Sequence, residues 1–279
     1  MVVFPNCKIN LGLQILSKRA DGFHNLSTVF YPVLLHDALE IIRSNEPSPA
    51  NNILFSHSGF QIDGNESNNL CIKAYQVLKK DFPQIPAIQM HLHKAIAMGA
   101  GLGGGSADAA FTLKLLNEKF QLNLSNGQLI NYSLQLGSDC PFFIINKPCI
   151  ATGRGEIMEP IDLNLSGYQI VLVNPGIHIN TGWAFSQLNI EEHISSKSNL
   201  KKIISQPIET WKKDLKNDFE PAVFPAHPTL LAIKEKLYQQ GSVYAAMSGS
   251  GSTVFGLFKK EMLSQFDFPA TYILKTIMG

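Results

Sequence analysis

The sequence predicts an α+β protein of two domains, and three observations carry that reading. Stretches that alternate apolar and polar residues are interleaved with stretches of helical periodicity. Two glycine-rich loops, one central and one near the C-terminus, each separate regular elements. The length, 279 residues, is enough for one large domain or two ordinary ones with ample core.

Near the N-terminus, Lys8, Asn10 and Gly12 alternate with Ile9, Leu11 and Leu13, which makes a strand with one apolar face and one face free to look into a cleft. Asp21-Gly22 is a hairpin turn signal, with Phe23 and His24 directly after it. Ser44–Asn52 reads as a long surface connection. Leu70–Leu78 has helical spacing, and Ile88–Ile96 alternates like a strand.

The run GAGLGGGSADAA over residues 99–110 follows. Five glycines fall within seven positions, and Ala109, Ala110, Leu113, Leu116 and Phe120 then recur at helical spacing. A strand, a glycine loop and a helix start make an anion site. First-turn N–H groups lack intrahelical acceptors, the helix dipole adds positive charge, and glycine lets a phosphate approach the backbone. Five glycines are an expensive way to build a turn that binds nothing, at about 0.5–1 kcal/mol of backbone entropy each. Ser106 falls where a helix cap would sit, its hydroxyl available to the helix, a phosphate or a metal. The loop lacks the Lys-Ser/Thr pair of a Walker motif. No acidic residue ends a second strand some 20 positions on, as a dinucleotide fold requires.

Leu136–Phe143 then sets Asp139 between a helix end, with Gly137 as its cap, and an apolar strand. A carboxylate in such surroundings needs a charged partner. Tyr168–Val173 reads as a strand, Ile203–Leu215 and Leu230–Gln240 as helical stretches, and Val243–Phe258 as a hairpin around Ser248–Ser252. That second glycine loop is either a plain hairpin connection or a second set of backbone donors for the same ligand.

Taken together, the three polar and glycine-rich segments resemble, in order along the chain, the signatures of the GHMP small-molecule kinases. The resemblance covers most of the chain and is weak around Glu191–Lys216 and after Phe258. It implies an N-terminal ATP-binding domain over residues 1–160, similar to ribosomal protein S5 domain 2, and a ferredoxin-like domain over 161–279, with the active site in the cleft between them. It also implies ATP and Mg²⁺ as cofactors and an alcohol as acceptor. Asp139 resembles the catalytic base and Lys8 its partner. Asn69 and Leu70 resemble the residues lining the adenine pocket. The stretch Met98, Gly99, Ala100, Gly101, Leu102, Gly103, Gly104, Gly105 and Ser106 resembles the phosphate loop, with Ser106 the one candidate metal ligand. Ser248, Gly249, Ser250 and Gly251 match the C-terminal glycine loop. Arg19–Thr28 is similar to members whose acceptor carries a cytidine diphosphate group. On that basis Asn10, Phe23, His24, Thr181 and Phe185 are substrate-binding positions, with Phe23 and Phe185 as stacking rings and His24 reading the cytosine edge. Ala97 stands where the family usually has Pro, Ala107 where it has a second Ser, and Phe23 where it has Tyr.

Twenty-three basic residues against 22 acidic leave a net charge of +1, no footprint for nucleic acid or anionic membrane. No run approaches 18 apolar residues, and a cytoplasmic monomer or homodimer is expected. Cys7, Cys71, Cys140 and Cys149 show no C-x-x-C spacing and read as reduced packing residues. His91 and His93 alternate onto a solvent face rather than forming a metal pair, and Lys201, Lys202, Lys212 and Lys213 read as the wet faces of amphipathic helices. Outside phosphoryl transfer from ATP to this acceptor, the alternatives are a homoserine- or mevalonate-type kinase or an RNA-binding protein.

Overall fold

The computed structural model describes residues 1–44, 52–62, 64–188, 199–261 and 266–279. The chain divides into two compact units, each assembled from separated stretches. The first comprises Met1–Cys7, Leu35–Met98 and Gly103–Asn146; the second comprises Lys8–Leu34, Gly99–Leu102 and Lys147–Gly279.

In the first unit, strands β1 (Val2–Val3), β4 (Ala38–Arg43), β6 (Ile88–Lys94) and β5 (Ile53–Gly59) form one sheet in the order β1-β4-β6-β5. Its pairings are antiparallel except β5 with β6. Alternation does the work here. Leu39 and Ile41 of β4 and Ile88, Met90 and Leu92 of β6 are buried, whereas His91 and His93 face outward and hydrogen-bond Ser56 and Ser58 across the strand pair. Helices α1 (Leu70–Asp81), α2 (Gly104–Lys119), α3 (Asn126–Leu134) and α4 (Cys140–Ile145) complete the unit. α1 packs on α2, and α2 on α3 and α4, through small and apolar residues such as Ala74, Leu78, Ala109, Leu113 and Leu116.

Three expectations change in this unit. The helix before Asp139 ends at Leu134 with Gln135 as its cap, not Gly137. The apolar run after Asp139 is a helix, α4, not a strand; Pro141 suits its first turn, and burial of Cys140–Ile144 explains the unbroken hydrophobic run. Ser106 is not the cap of α2. Gly103, in the left-handed conformation at φ +70°, is the cap, and Ser106 lies inside the first turn.

In the second unit, β2 (Asn6–Lys18) and β3 (His24–His36) are joined by the turn at Arg19–Phe23 and extended by β7 (Cys149–Gly153) and β8 (Ile157–Pro160), in the order β2-β3-β7-β8. A second antiparallel sheet, β10-β11-β9-β12, contains β9 (Tyr168–Asn174), β10 (Tyr244–Met247), β11 (Val254–Lys259) and β12 (Ile273–Met278). The expected hairpin around Ser248–Ser252 is β10–β11. Short helices α5 (Thr181–Ser186), α6 (Leu200–Ile204), α7 (Trp211–Asp214) and α8 (Glu220–Val223) precede α9 (Pro228–Gln239), which packs on β10 and β11. The expected helical stretch at 203–215 is thus two short helices, separated by a turn at Pro207, whose ring cannot continue a helix. Leu13, Ile15, Val171, Val173, Leu230, Ile233, Leu237, Met247 and Phe258 share one core. All four cysteines are buried and unbridged.

Candidate active site

The polar face of β2 is buried rather than solvated. Lys8 is 4% exposed and Asn10 2%. Lys8 Nζ donates to Asn10 Oδ1 at 2.5 Å and lies 4.9 Å from the centroid of Phe30. Asn10 Nδ2 donates to Thr28 Oγ1 at 2.9 Å, and Thr28 donates in turn to the carbonyl of Gly12. A buried cation must be surrounded by acceptors, and this chain supplies them while fixing the rotamer of each member. Thr28 belongs to the N-terminal motif, yet its role as the anchor of Asn10 was not evident from the sequence.

The second glycine loop closes onto the first. Asn10 N donates to Ser248 Oγ at 3.2 Å, Ser248 Oγ donates to Gly101 O at 2.8 Å, and Thr253 N donates to Ala100 O at 3.1 Å. Asn217 holds the C-terminal loop from the other side, its Nδ2 donating to the carbonyls of Met247 and Gly249. Gly101 sits at φ +76°, where a Cβ would lie 2.0 Å from the Ser248 carbonyl oxygen. We expect Gly101→Ala to lose at least about 2 kcal/mol, since a left-handed alanine alone costs roughly 1–2 and the two loops must also part. Urea melts of the variant and the parent protein check this; matching midpoints would refute the close approach.

At the start of α2 no side chain caps the helix, and the first i→i−4 bond is Ala107 N to Gly103 O. The N–H groups of Gly104, Gly105 and Ser106 lie ahead of it, in the arrangement that suits an anion. Asn69, Leu70, Met98 and Gly105 line one cavity together with Phe55, His57, Lys94 and Asp108. Asn69 also caps α1, its Oδ1 accepting from Cys71 N at 2.8 Å.

Under the loop lies an ionic cluster that sequence reasoning did not single out. Lys94 Nζ reaches Asp108 Oδ2 at 2.7 Å and also bonds Asp37, whose other oxygen accepts from Ala95 N and Ile96 N at 2.6 and 2.8 Å. All three side chains are essentially inaccessible to solvent. Burial, partly opposed by Lys94, raises the Asp108 carboxyl to about 7, and Asp108 Oδ1 is buried with no hydrogen-bond partner. Burial works against the Lys94 charge, but the two carboxylates outweigh it and raise the ammonium above its ordinary value. The cluster ties the end of β6 to α2, so it fixes where the glycine loop leaves the sheet.

Asp139 precedes α4 and is half-buried. The neighbouring thiol of Cys140 is pushed up to about 12 by burial and is hydrogen-bonded to Ser106. Ser106 and Asp139 therefore flank one buried sulfur, an inert packing group at neutral pH.

The aromatic positions also gather. His24 stacks on Phe185 with centroids 4.5 Å apart and planes 8° from parallel, and Phe185 meets Phe219 edge-on at 4.9 Å. Burial and the charge of Lys18 lower the His24 pKa, which favours the neutral ring with one donor and one acceptor nitrogen. Thr181 Oγ1 lies 2.9 Å from Ser250 Oγ, joining the start of α5 to the second glycine loop. Phe23 projects from the β2–β3 turn, 51% exposed.

Comparison with known proteins decides what this assembly belongs to. A model described as the GHMP kinases N-terminal domain matches residues 69–147, and one described as the GHMP kinases C-terminal matches residues 198–266. A Bacteroides fragilis protein named 4-diphosphocytidyl-2-C-methyl-D-erythritol kinase is 52% identical over 277 residues, 99% of either chain. The chain belongs to the GHMP kinase family. A Bacteroides thetaiotaomicron protein of the same name is 54% identical over 94% of this GHMP kinase and 93% of its own length. A crystal structure of 4-(cytidine 5'-diphospho)-2C-methyl-D-erythritol kinase superposes with a TM-score of 0.78 at 28% identity, over 92% of this chain and 90% of that one. The mevalonate kinase of Methanococcus jannaschii shares the fold, with a TM-score of 0.70 at 14% identity over 94% and 91% of the chains.

Among its described residues, this GHMP kinase has no group of three or more His, Cys, Asp or Glu placed to hold a metal ion. Nor is any described helix long and apolar enough to cross a membrane.

Proposed function

We propose that this GHMP kinase transfers the γ-phosphoryl group of ATP to the 2-hydroxyl of 4-diphosphocytidyl-2-C-methyl-D-erythritol, a step of the non-mevalonate route to isoprenoid precursors. The observation that carries the reading is 52% identity across 99% of both chains with a protein of that name. The geometry supports it from the residues upward. Phosphoryl transfer asks for positioning and charge stabilisation more than covalent chemistry. Met98 and Asn69-Leu70 would hold the nucleoside, and the N–H groups from Gly99 to Ser106 the phosphates, with Ser248–Gly251 bracing that loop. Asp139 accepts the proton of the acceptor hydroxyl as the bond to phosphorus forms, with Lys8, held by Asn10, as its partner in that role. Phe23, His24 and Phe185 would receive the cytosine, and Thr181 would position the substrate beside them.

Ser106, in the first turn of α2, is the hydroxyl that would help hold a magnesium ion arriving with the nucleotide. Such an ion would supply charge neutralisation for the phosphates. A homoserine- or mevalonate-type acceptor would leave Phe23, His24 and Phe185 without a task. The near-neutral net charge counts against an RNA-binding role.

The test is ADP release from ATP with the cytidylyl substrate, beside homoserine, mevalonate and a blank without acceptor. Release with the cytidylyl substrate alone is expected. Turnover of another alcohol would move the acceptor assignment, and absence of release with every acceptor would remove the kinase reading.

A further inference from the structure

The turn that presents Phe23 is braced by charge. Arg19 bonds both oxygens of Asp21 at 2.9–3.1 Å, and Asp21 Oδ1 accepts from Phe23 N at 3.1 Å. A residue from another turn meets the ring. Arg154 places its guanidinium 4.9 Å from the centroid of Phe23. Strand register makes this possible: β3 pairs with β7 with Leu26 opposite Gly153, so the next residue, Arg154, emerges beside the start of β3.

Arg154 is itself held. Glu156 accepts from its backbone N–H and faces its Nε at 3.7 Å. Gly153, at φ +70°, leaves the space this needs, because a Cβ there would meet the Glu156 carboxylate at 2.8 Å. The guanidinium lies over one face of Phe23, and the residue remains 51% exposed. A cation behind an aromatic ring draws π-density toward itself, so the free face becomes a better partner for a dipolar, carbonyl-bearing heterocycle. Meanwhile His24 is turned onto Phe185, so the two neighbours present differently oriented surfaces.

We propose that Arg154 is a positioning residue for the pyrimidine end of the substrate, acting through Phe23 by fixing and polarising its ring; this rests on the cytosine reading of Phe23 given above. Arg154 touches no reacting atom in this role. It sets affinity for the acceptor and leaves phosphoryl transfer alone.

Steady-state kinetics of the full-length enzyme with 4-diphosphocytidyl-2-C-methyl-D-erythritol test it. Arg154→Ala should raise KM for this substrate about 2–5-fold, with KM for ATP unchanged and kcat within about 2-fold. Arg154→Lys should recover part of the loss, and Glu156→Gln, which loosens the tether without removing the cation, should give a smaller rise. In a Phe23→Ala background, Arg154→Ala should add nothing. If Phe23→Ala raises KM but Arg154→Ala does not, the role of Arg154 is overturned and the cytosine reading stands. If neither changes KM, the cytosine reading fails first. Equal effects of Arg154→Ala with and without Phe23 would mean direct contact with substrate, which also overturns a role through the ring.

Discussion

Asp139→Asn should lower kcat by about 10²–10⁴-fold while leaving nucleotide affinity nearly unchanged. The substitution keeps the shape of the side chain and its place ahead of α4, so the backbone donors of the glycine loop are untouched. On the proposed reading it removes the carboxylate that accepts a proton as the phosphoryl group is transferred. A free carboxyl, with a pKa near ~3.9, is a weak base for an alcohol, and its contribution comes late in the transfer, when the hydroxyl proton is already loosened. Single-turnover rates together with binding of a fluorescent ATP analogue separate the two quantities. A variant that turns over at close to the parent rate would remove Asp139 from this role, whatever the nucleotide affinity.

Lys94→Met should be the most destabilising of the substitutions considered, by about 3–5 kcal/mol at neutral pH, because it strands two buried carboxylates without their cation. The loss should shrink at pH 5, where Asp108, raised to about 7 by burial, holds its proton. The same cluster gives the parent protein an unusual pH response. Burial raises the Asp108 carboxyl to about 7, so the folded acid keeps its proton at pH values where the unfolded one, near ~3.9, has lost it. A group raised in this direction stabilises the fold fully below the unfolded value, and that contribution disappears as pH rises through about 7. Urea midpoints of the parent should therefore fall between pH 5.5 and 8 relative to those of Asp108→Asn. A difference that grows in the opposite sense would contradict the raised carboxyl.

Much of this site was legible because its chemistry is local in the chain. The glycine run had to be a loop before a helix, and alternation placed Lys8 and Asn10 on one face of a strand. What alternation could not decide was the environment of that face. Lys8 is buried because Asn10, Thr28 and Phe30 wrap it, and those contacts depend on strand pairing. The mistaken strand after Asp139 has a similar cause: a short, wholly buried apolar run has no period to read. The Lys94 cluster did leave a trace. Ile88, Met90, Leu92 and Lys94 share one strand face, so a lysine ending a buried stripe announces buried acids. Asp108 is 14 positions away and Asp37 is 57, and nothing in the spacing names them.

The bonds between the two glycine loops also bear on how the protein is made. Residues 99–102 leave the ribosome long before Ser248 and Thr253, the residues that will hold Gly101 and Ala100. At ordinary elongation rates of about 5–20 residues per second, that interval is roughly 7–30 s. The unit ending at Asn146 has all its residues before the C-terminal glycine loop is made, whereas the other combines Lys8–Leu34 with residues as late as Gly279. A nascent chain therefore cannot make the bonds that hold residues 100 and 101 until Ser248 and Thr253 have been added. A fragment that stops short of Ser248 has neither of the residues that hold Gly101 and Ala100.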